Sequence, residues 1–288
     1  MPAGQPFTQL CQTLARPRYF GRVDLHMHTT FSDGTYTPAE VVDLAKRSGL
    51  SAIAVTDHDT LAGIAPTQQA AGAALEVISG VEITAEYRSR ELHLLGYFFD
   101  PTNFSLGAAL ERLRAERAGR FQGMLERLAG LGIHFEERVL AGLRKETSLG
   151  RRHLAEMLVQ AKKAATVREA FQRWLGDNGQ ANVPKVRLPV ADAIALVRGA
   201  GGIAAWAHPN YHCEKEALLE LKRLGLGAIE AEYPSFAAGR IGELRRLARD
   251  VGLAITGGSD CHGPDEPRRA IGSRSISHDE LLQLRALI

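Results

Sequence analysis

The stretch RVDLHMHTTFSDGTYTPAEVVDLAKRSGLSAIAVTDHD, residues 22–59, decides the fold. It opens on the alternating run 22–28, which reads as a strand. Thr37-Pro38-Ala39-Glu40 then reads as a helix start. Thr37 supplies a capping hydroxyl, Pro38 takes the first helical position where no N–H is needed, and Glu40 closes a capping box. The helix stops at Gly49, and 51–56 (SAIAVT) follows as a short apolar strand. Strand, helix and strand of these lengths form a βαβ unit, with a right-handed crossover between parallel strands.

The same alternation continues outward. An Ala-rich helix is expected at 63–74, and strands at 76–79 and 91–97, joined through 81–90. Beyond residue 188 come helix 190–199, strand 202–207, helix 214–224, strand 228–232, helix 238–250, strand 253–256 and a last helix at 278–287. Between these halves the period is helical only, at 106–131, 137–143, 153–162 and 167–175, and 177–189 reads as a linker with one Gly and two Pro. The expected class is α/β: about seven strands closing into a β/α barrel built from 1–99 and 188–288, with 100–187 as an all-helical cap insertion. Residues 1–20 read as a lead-in.

Composition narrows the class. A chain of 288 residues that is 45% hydrophobic and 24% charged has the make-up of a globular enzyme. Cys11, Cys213 and Cys261 are far apart and form no CxxC, which speaks against a disulfide framework and for a reducing cytoplasm. No basic start followed by an apolar run marks a signal peptide, and no run spans a bilayer. Neither GxGxxG nor GxxxxGK[ST] occurs, so dinucleotide and P-loop readings drop out.

The ten histidines carry the functional signal. His26 and His28 stand at i, i+2 on the first strand, so their side chains share a face. Asp33 follows in a turn, His58 follows the second strand in Thr56-Asp57-His58-Asp59, and Glu82 follows the third in Gly80-Val81-Glu82. His93 lies in an apolar strand, His208 follows another before Pro209, and Asp260 and His262 end the last. Singly, each has a plain explanation as a turn, a surface charge or a core histidine. Jointly, six imidazoles and three carboxylates fall at or beside strand ends, which in a β/α barrel open on one face. So many of them in one cleft need cations, and a mixed His/carboxylate shell suits zinc, manganese or iron.

The motifs His26-x-His28, Ser32-Asp33-Gly34, Thr56-Asp57-His58-Asp59, Gly80-Val81-Glu82, His93, Ala207-His208-Pro209 and Gly258-Ser259-Asp260-x-His262 together resemble the PHP (polymerase and histidinol phosphatase) domain of the wider amidohydrolase group. The match runs over 22–99 and 188–275. The Arg-rich helix 112–127, Arg151-Arg152-His153 and the run 197–202 resemble one branch, the 3′,5′-nucleotide bisphosphate phosphatases and 5′–3′ exoribonucleases. The resemblance implies a distorted seven-stranded (β/α)7 TIM-like barrel holding three divalent ions, manganese first and zinc or iron as alternatives. It implies His26, His28, Glu82 and Asp260 around the first ion. Glu82, His93 and His208 would surround the second, and Asp33, His58 and His262 the third. Asp260, His208 and Glu82 are the expected catalytic residues. Asp57, Asp59 and Glu230 would orient ligands, and Cys261 would only pack.

Such ions activate water as hydroxide and polarise a phosphoryl oxygen, so phosphate-ester hydrolysis is the expected reaction. Residues 100–190 carry 16 Lys+Arg and 10 Asp+Glu, against 35 and 33 in the whole chain. The cap is therefore basic and the barrel acidic. Pairs such as Glu111 with Arg114, or Glu116 with Arg120, absorb part of that charge. Arg151, Arg152 and His153, opening a helix, are the expected phosphate binders. The expected substrate is a nucleoside 3′,5′-bisphosphate, cut at its 3′-phosphate, or a short 5′-phosphorylated RNA. A long duplex or a membrane is not expected as partner, and the oligomeric state stays open. The alternatives are a histidinol-phosphatase-type monoesterase, against which the basic cap weighs, and a non-catalytic metal-stabilised module, against which the full ligand set weighs.

Overall fold

In the computed structural model of the chain, which describes residues 21–141, 143, 147–209 and 213–288, the unit at 22–59 folds as its sequence dictates. Helix α1 (Pro38–Arg47) starts at Thr37. The Thr37 hydroxyl accepts from the Glu40 N–H and the Glu40 carboxylate accepts from the Thr37 N–H. Pro38, Val41, Val42 and Ala45 form its buried stripe. Gly49, at φ 67°, turns the chain into β2 (Leu50–Val55), which lies parallel to β1 (Arg22–Asp24). The regular ladder of β1 ends earlier than the expected 28, and Met27 pairs instead with Cys261.

The remaining strands are β3 (Glu76–Tyr87), β4 (Arg90–Tyr97), β5 (Leu188–Pro189), β6 (Ile203–Trp206), β7 (Ala228–Glu232), β8 (Ala254–Gly257) and β9 (Ile276–Ser277). Their order is β8-β7-β6-β4-β3-β2-β1-β9, with β5 beside β3. Between β1 and β8 the sheet closes through Leu25 N–H to Gly257 C=O (3.1 Å) and His28 N–H to Cys261 C=O (2.9 Å). Seven staves therefore make the barrel, and β5 and β9 are two-residue additions.

One expectation fails in detail. Strand 76–79 does not end before Gly80; β3 runs on to Tyr87 and folds back on β4 as a hairpin. The alternation of buried Val81, Ile83 and Ala85 with polar Glu82, Thr84 and Glu86 is the strand signal in that stretch. Arg88 and Ser89 make the two-residue turn at φ 50° and 61°. A turn this short joins only antiparallel strands, so β4 opposes both β3 and β6 in an otherwise parallel barrel.

Helices α2 (Ile64–Ala71), α7 (Val190–Gly199), α8 (Lys215–Leu224), α9 (Ala238–Val251) and α10 (His278–Arg285) complete the barrel. Val41, Val42, Ile194, Leu218, Leu221 and Leu244 of the helices pack with Ile53, Ile83, Leu94 and Ile229 of the strands. Because Ile83 and Leu94 face the helices, their neighbours Glu82 and His93 face the bore. Tyr97 is fully buried, and its hydroxyl donates to the Leu25 carbonyl (2.9 Å), tying β4 to β1 across the barrel.

The insertion holds α3 (Phe104–Gly130), α4 (Glu137–Ala141), α5 (Arg151–Gln160) and α6 (Val167–Ala170), the last continuing as a π-turn over Phe171–Leu175. Phe121, Met124, Leu128, Leu154, Leu158 and Trp174 give it a core of its own. Helix α3 belongs to both bodies, since its Leu106, Leu110 and Leu113 lie in the barrel cluster. The cap is thus splinted to the barrel by one continuous helix. The lead-in 1–20, with Cys11, lies outside the described residues. Among the described residues no helix is long and apolar enough to cross a membrane.

Leu154 is fully buried in the cap core. Leu154→Ala is expected to cost about 2–5 kcal/mol of stability, read as a lowered urea midpoint.

Candidate metal centre

All nine residues singled out by their motifs meet on one face of the barrel. His26 Nε2 and His28 Nε2 are 3.3 Å apart, and both face Glu82 Oε2 and Asp260 Oδ1 at 3.2–3.3 Å. The other Glu82 oxygen, Oε1, lies 2.7 Å from His93 Nδ1 and 3.1 Å from His208 Nε2. A third group gathers at Asp33, whose Oδ1 is 3.5 Å from His262 Nε2 and 3.8 Å from His58 Nε2.

Local backbone explains the convergence. His26 and His28 follow β1, His58 follows β2 and bridges to Glu82, His208 follows β6, and Asp260 and His262 follow β8. Glu82 and His93 correct the expectation that every donor sits at a strand's C-terminal end. Glu82 is inside β3, and His93 is near the start of β4. Because β4 runs against its neighbours, its first half lies on the face where the others end. Asp59, His208 and Asp260 adopt φ of 51°, 29° and 48°, a left-handed backbone that non-glycine residues hold only under constraint. The Glu230 carboxylate constrains His208 by accepting its N–H at 2.6 Å.

The electrostatics ask for cations. Burial pushes the Asp33, Glu82 and Asp260 carboxyls up, yet the surrounding imidazoles hold all three well below the usual range. Burial pushes His28 down, but Asp260 and Glu82 hold it up at about 10; against the same penalty Glu82 and Glu91 hold His93 at about 9. His58 goes well below its ordinary value, because burial and the charges of Arg117 and His28 outweigh Glu82 and Asp33. Asp33 Oδ1 and His58 Nδ1 are buried with no hydrogen-bond partner. Protons alone therefore satisfy the cluster poorly, whereas its mixed N/O donors fit divalent transition-metal ions. His28/Asp33/His58/His262, His26/His28/Glu82 and His58/Glu82/His93 each bring donor atoms within 4.8 Å of one another.

Of the three carboxylates expected to orient ligands, Glu230 alone contacts a ring of the cluster at this distance, with Oε1 2.9 Å from His26 Nδ1. Asp57 instead shapes the loop before Asp33, accepting from Thr29 N–H (2.7 Å) and from the Ser32 hydroxyl (2.6 Å). Asp59 receives Thr84 N–H (2.8 Å) and Arg117 from the cap. Cys261 is buried in the core cluster, as expected of a packing residue.

The expected phosphate binders divide. His153 accepts the Gly150 N–H at Nδ1 (3.0 Å), so its Nε2 is the donor to the Ser32 carbonyl (2.9 Å). Both ring nitrogens are used, and the residue straps the cap to the Asp33 loop. Arg151 pairs with Asp177, and Arg152 with Glu156 and Glu266. On α3, Glu111 pairs with Arg114, while Arg120 goes to the Val183 carbonyl and to Asn182 rather than to Glu116.

Five residues were not singled out in the sequence. Tyr233 donates to Asp260 Oδ2 (2.8 Å) and Arg269 joins it there, which leaves Asp260 Oδ1 for the metal centre. Arg117 crosses from α3 to Asp59 and Thr84. Lys185, from the linker, reaches Glu91, and Glu91 reaches His93. Tyr233 carried a signal as a polar aromatic directly after β7, Arg117 as part of the Arg-rich helix 112–127, and Glu91 by standing at i, i+2 from His93.

Known proteins resemble this chain in sequence and in fold. The PHP domain profile matches residues 24–175. A 5′–3′ exoribonuclease of Haemophilus influenzae is 32% identical over 84% of this chain and 90% of its own. A 3′,5′-nucleoside bisphosphate phosphatase of Chromobacterium violaceum is 29% identical over 90% of this chain and 91% of its own. A phosphoribosyl 1,2-cyclic phosphate 1,2-diphosphodiesterase of Eggerthella lenta is 30% identical over 83% and 94%. The crystal structure of a Bifidobacterium adolescentis protein assigned as a metal-dependent phosphoesterase superposes with a TM-score of 0.86 at 31% identity, over 92% of this chain and 96% of that one. With these motifs, this barrel and this cluster of donors, the chain belongs to the PHP domain family of metal-dependent phosphoesterases and is a hydrolase.

Proposed function

We propose that this hydrolase cuts nucleotide phosphate esters, namely the 3′-phosphate of a nucleoside 3′,5′-bisphosphate and the first linkage of a short 5′-phosphorylated RNA. Both are one cut at two lengths: the 3′ oxygen–phosphorus bond beside the terminal 5′-phosphorylated nucleotide breaks. Water gives its oxygen to phosphorus and a proton to the leaving oxygen, and a 5′-mononucleotide is released. His26, His28, Glu82 and Asp260 would hold one divalent ion, Glu82, His93 and His208 a second, and Asp33, His58 and His262 a third. Manganese is the ion the family resemblance favours. Such ions, when bound, supply Lewis acidity and an activated water. The protein's own part is orientation. Glu230 fixes the His26 ring, and Tyr233 with Arg269 turns one Asp260 oxygen inward. Asp260, His208 and Glu82 are the residues this reading makes catalytic.

The observation that carries the substrate class is a group of cations beside the metal centre, two of which, Arg120 and Lys185, are under-compensated. Arg151 and Arg117 repel Arg120, and Arg117 also repels Lys185. Burial, then Arg117, pushes the Lys185 ammonium down to about 8 despite Glu91. Burial, then Arg151, pushes the Arg120 guanidinium down to about 10. Buried cations short of counter-charge favour an anion, and guanidinium groups favour phosphate. A substrate with one phosphate at the metals and another under the cap matches that layout. Arg151 and Arg152 stay in this reading as phosphate binders. His153 acts there by holding the helix start in place. A reducing cytoplasmic setting accords with Cys213 and Cys261, which are buried free thiols.

The deciding experiment incubates manganese-loaded protein with a nucleoside 3′,5′-bisphosphate, a 5′-phosphorylated short RNA, histidinol phosphate and phosphoribosyl 1,2-cyclic phosphate. Preferred release of a 5′-mononucleotide is expected from the first two; preference for either of the others would overturn the proposal. His28→Ala and Asp260→Asn should each lose bound metal, by elemental analysis, and lose turnover with it. A third test uses pH. Lys185 binds an anion only while protonated, so its lowered pKa means kcat/KM for the bisphosphate should fall as pH rises through about 8. Lys185→Met should raise KM and abolish that alkaline limb.

A further inference from the structure

We propose that Glu91 is a positioning residue that fixes His93 as a cation ligand and ties it to the root of the cap. The proposal rests on the reading of His93 as a ligand. On β4, Glu91 and His93 stand at i, i+2 and share a face. Glu91 Oε1 is 2.9 Å from His93 Nε2 and 2.9 Å from Lys185 Nζ, and its Oε2 is 3.2 Å from Arg187 Nε. Each of these contacts sets a donor against a carboxylate oxygen. With a cation bound the ring would be neutral, and a carboxylate at Nε2 would keep its one proton there and leave the Nδ1 lone pair, on the Glu82 side, for the ion. This is how carboxylates generally fix the tautomer and aim of a metal-binding histidine.

The cost of the arrangement argues for its purpose. In the β3–β4 register Glu91 lies directly opposite Glu86, and like charges so placed repel. Arg187 offsets this by reaching both, at 3.2 Å each. Lys185 and Arg187 lie where the chain leaves the cap and re-enters the barrel at β5. One carboxylate thus joins a metal-centre histidine to the last residues of the insertion. A cation pair alone would hold that segment; the contact to His93 is what makes Glu91 part of the centre.

The test measures metal, not turnover. Mn2+ affinity of metal-stripped protein is read by competition with a chelator for wild type, Glu91→Ala, Glu91→Gln and His93→Ala. Glu91→Ala should weaken retention of one ion by about 10–100-fold. Glu91→Gln should restore most of it, since its amide oxygen still accepts from Nε2–H. If Glu91→Ala binds Mn2+ as tightly as wild type while its metal-free form melts lower, Glu91 merely anchors the linker and the proposal falls. If His93→Ala also leaves Mn2+ binding unchanged, the ligand assignment itself has failed, which separates the two outcomes. Should Glu91→Ala not fold, 15N-histidine spectra of the zinc-loaded wild type decide. The His93 proton is expected on Nε2, and a proton on Nδ1 overturns the proposal.

Discussion

The Glu82 carboxylate sits at the centre of this structure. It is buried, and its two oxygens face nitrogens of five histidines that arrive from four separate segments. A buried carboxylate is costly unless positive charge surrounds it. The imidazoles supply that charge only by taking up protons or by sharing cations. Every segment that ends at this point is therefore held to a narrow geometry, and the left-handed backbones of Asp59, His208 and Asp260 show where that geometry strains the chain.

Around this carboxylate the fold departs from a regular β/α barrel at one place, the β3–β4 hairpin. The reversal of β4 brings His93 onto the active face from a strand's beginning rather than its end. It also sets Glu91 where the linker from the cap returns. The cap is joined to the barrel by the continuous α3, by Arg117 on Asp59, by His153 on the Ser32 carbonyl, and by Lys185 and Arg187 on Glu91. Several of these contacts end on a residue next to a metal-centre donor. The cap and the barrel are consequently tied together beside the metal centre, although each has its own apolar core.

Much of this was legible in the chain. The capping box at Thr37, the stop at Gly49 and the buried run at 51–56 report local backbone chemistry, so they read correctly without tertiary information. The motifs His26-x-His28 and Asp260-x-His262 read well because i, i+2 spacing in extended chain already puts two side chains on one side. The reading faltered where the outcome depended on a partner strand. Residues 81–90 alternate like a strand, but Gly80 and the polar side chains of Glu82 and Thr84 looked like a loop when their bore-facing role was unknown. His153 read as a phosphate binder because nothing local announces that the Ser32 carbonyl lies beside it. Nothing local marked Arg269 or Lys185, because the carboxylates they reach, Asp260 and Glu91, are brought beside them only by the fold.

What the sequence determined by itself is the set of candidate donors, the βα alternation and the division of charge between an acidic barrel and a basic insertion. These depend on residue type and short spacing, which survive any folding. What only the tertiary structure decided is who faces whom: the sharing of Glu82, the direction of β4, and the pairing of cap cations with carboxylates beside the metal centre. Those contacts join residues tens to hundreds of positions apart. Their energies exist only once the barrel has closed and excluded water, so no local pattern in the chain can encode them.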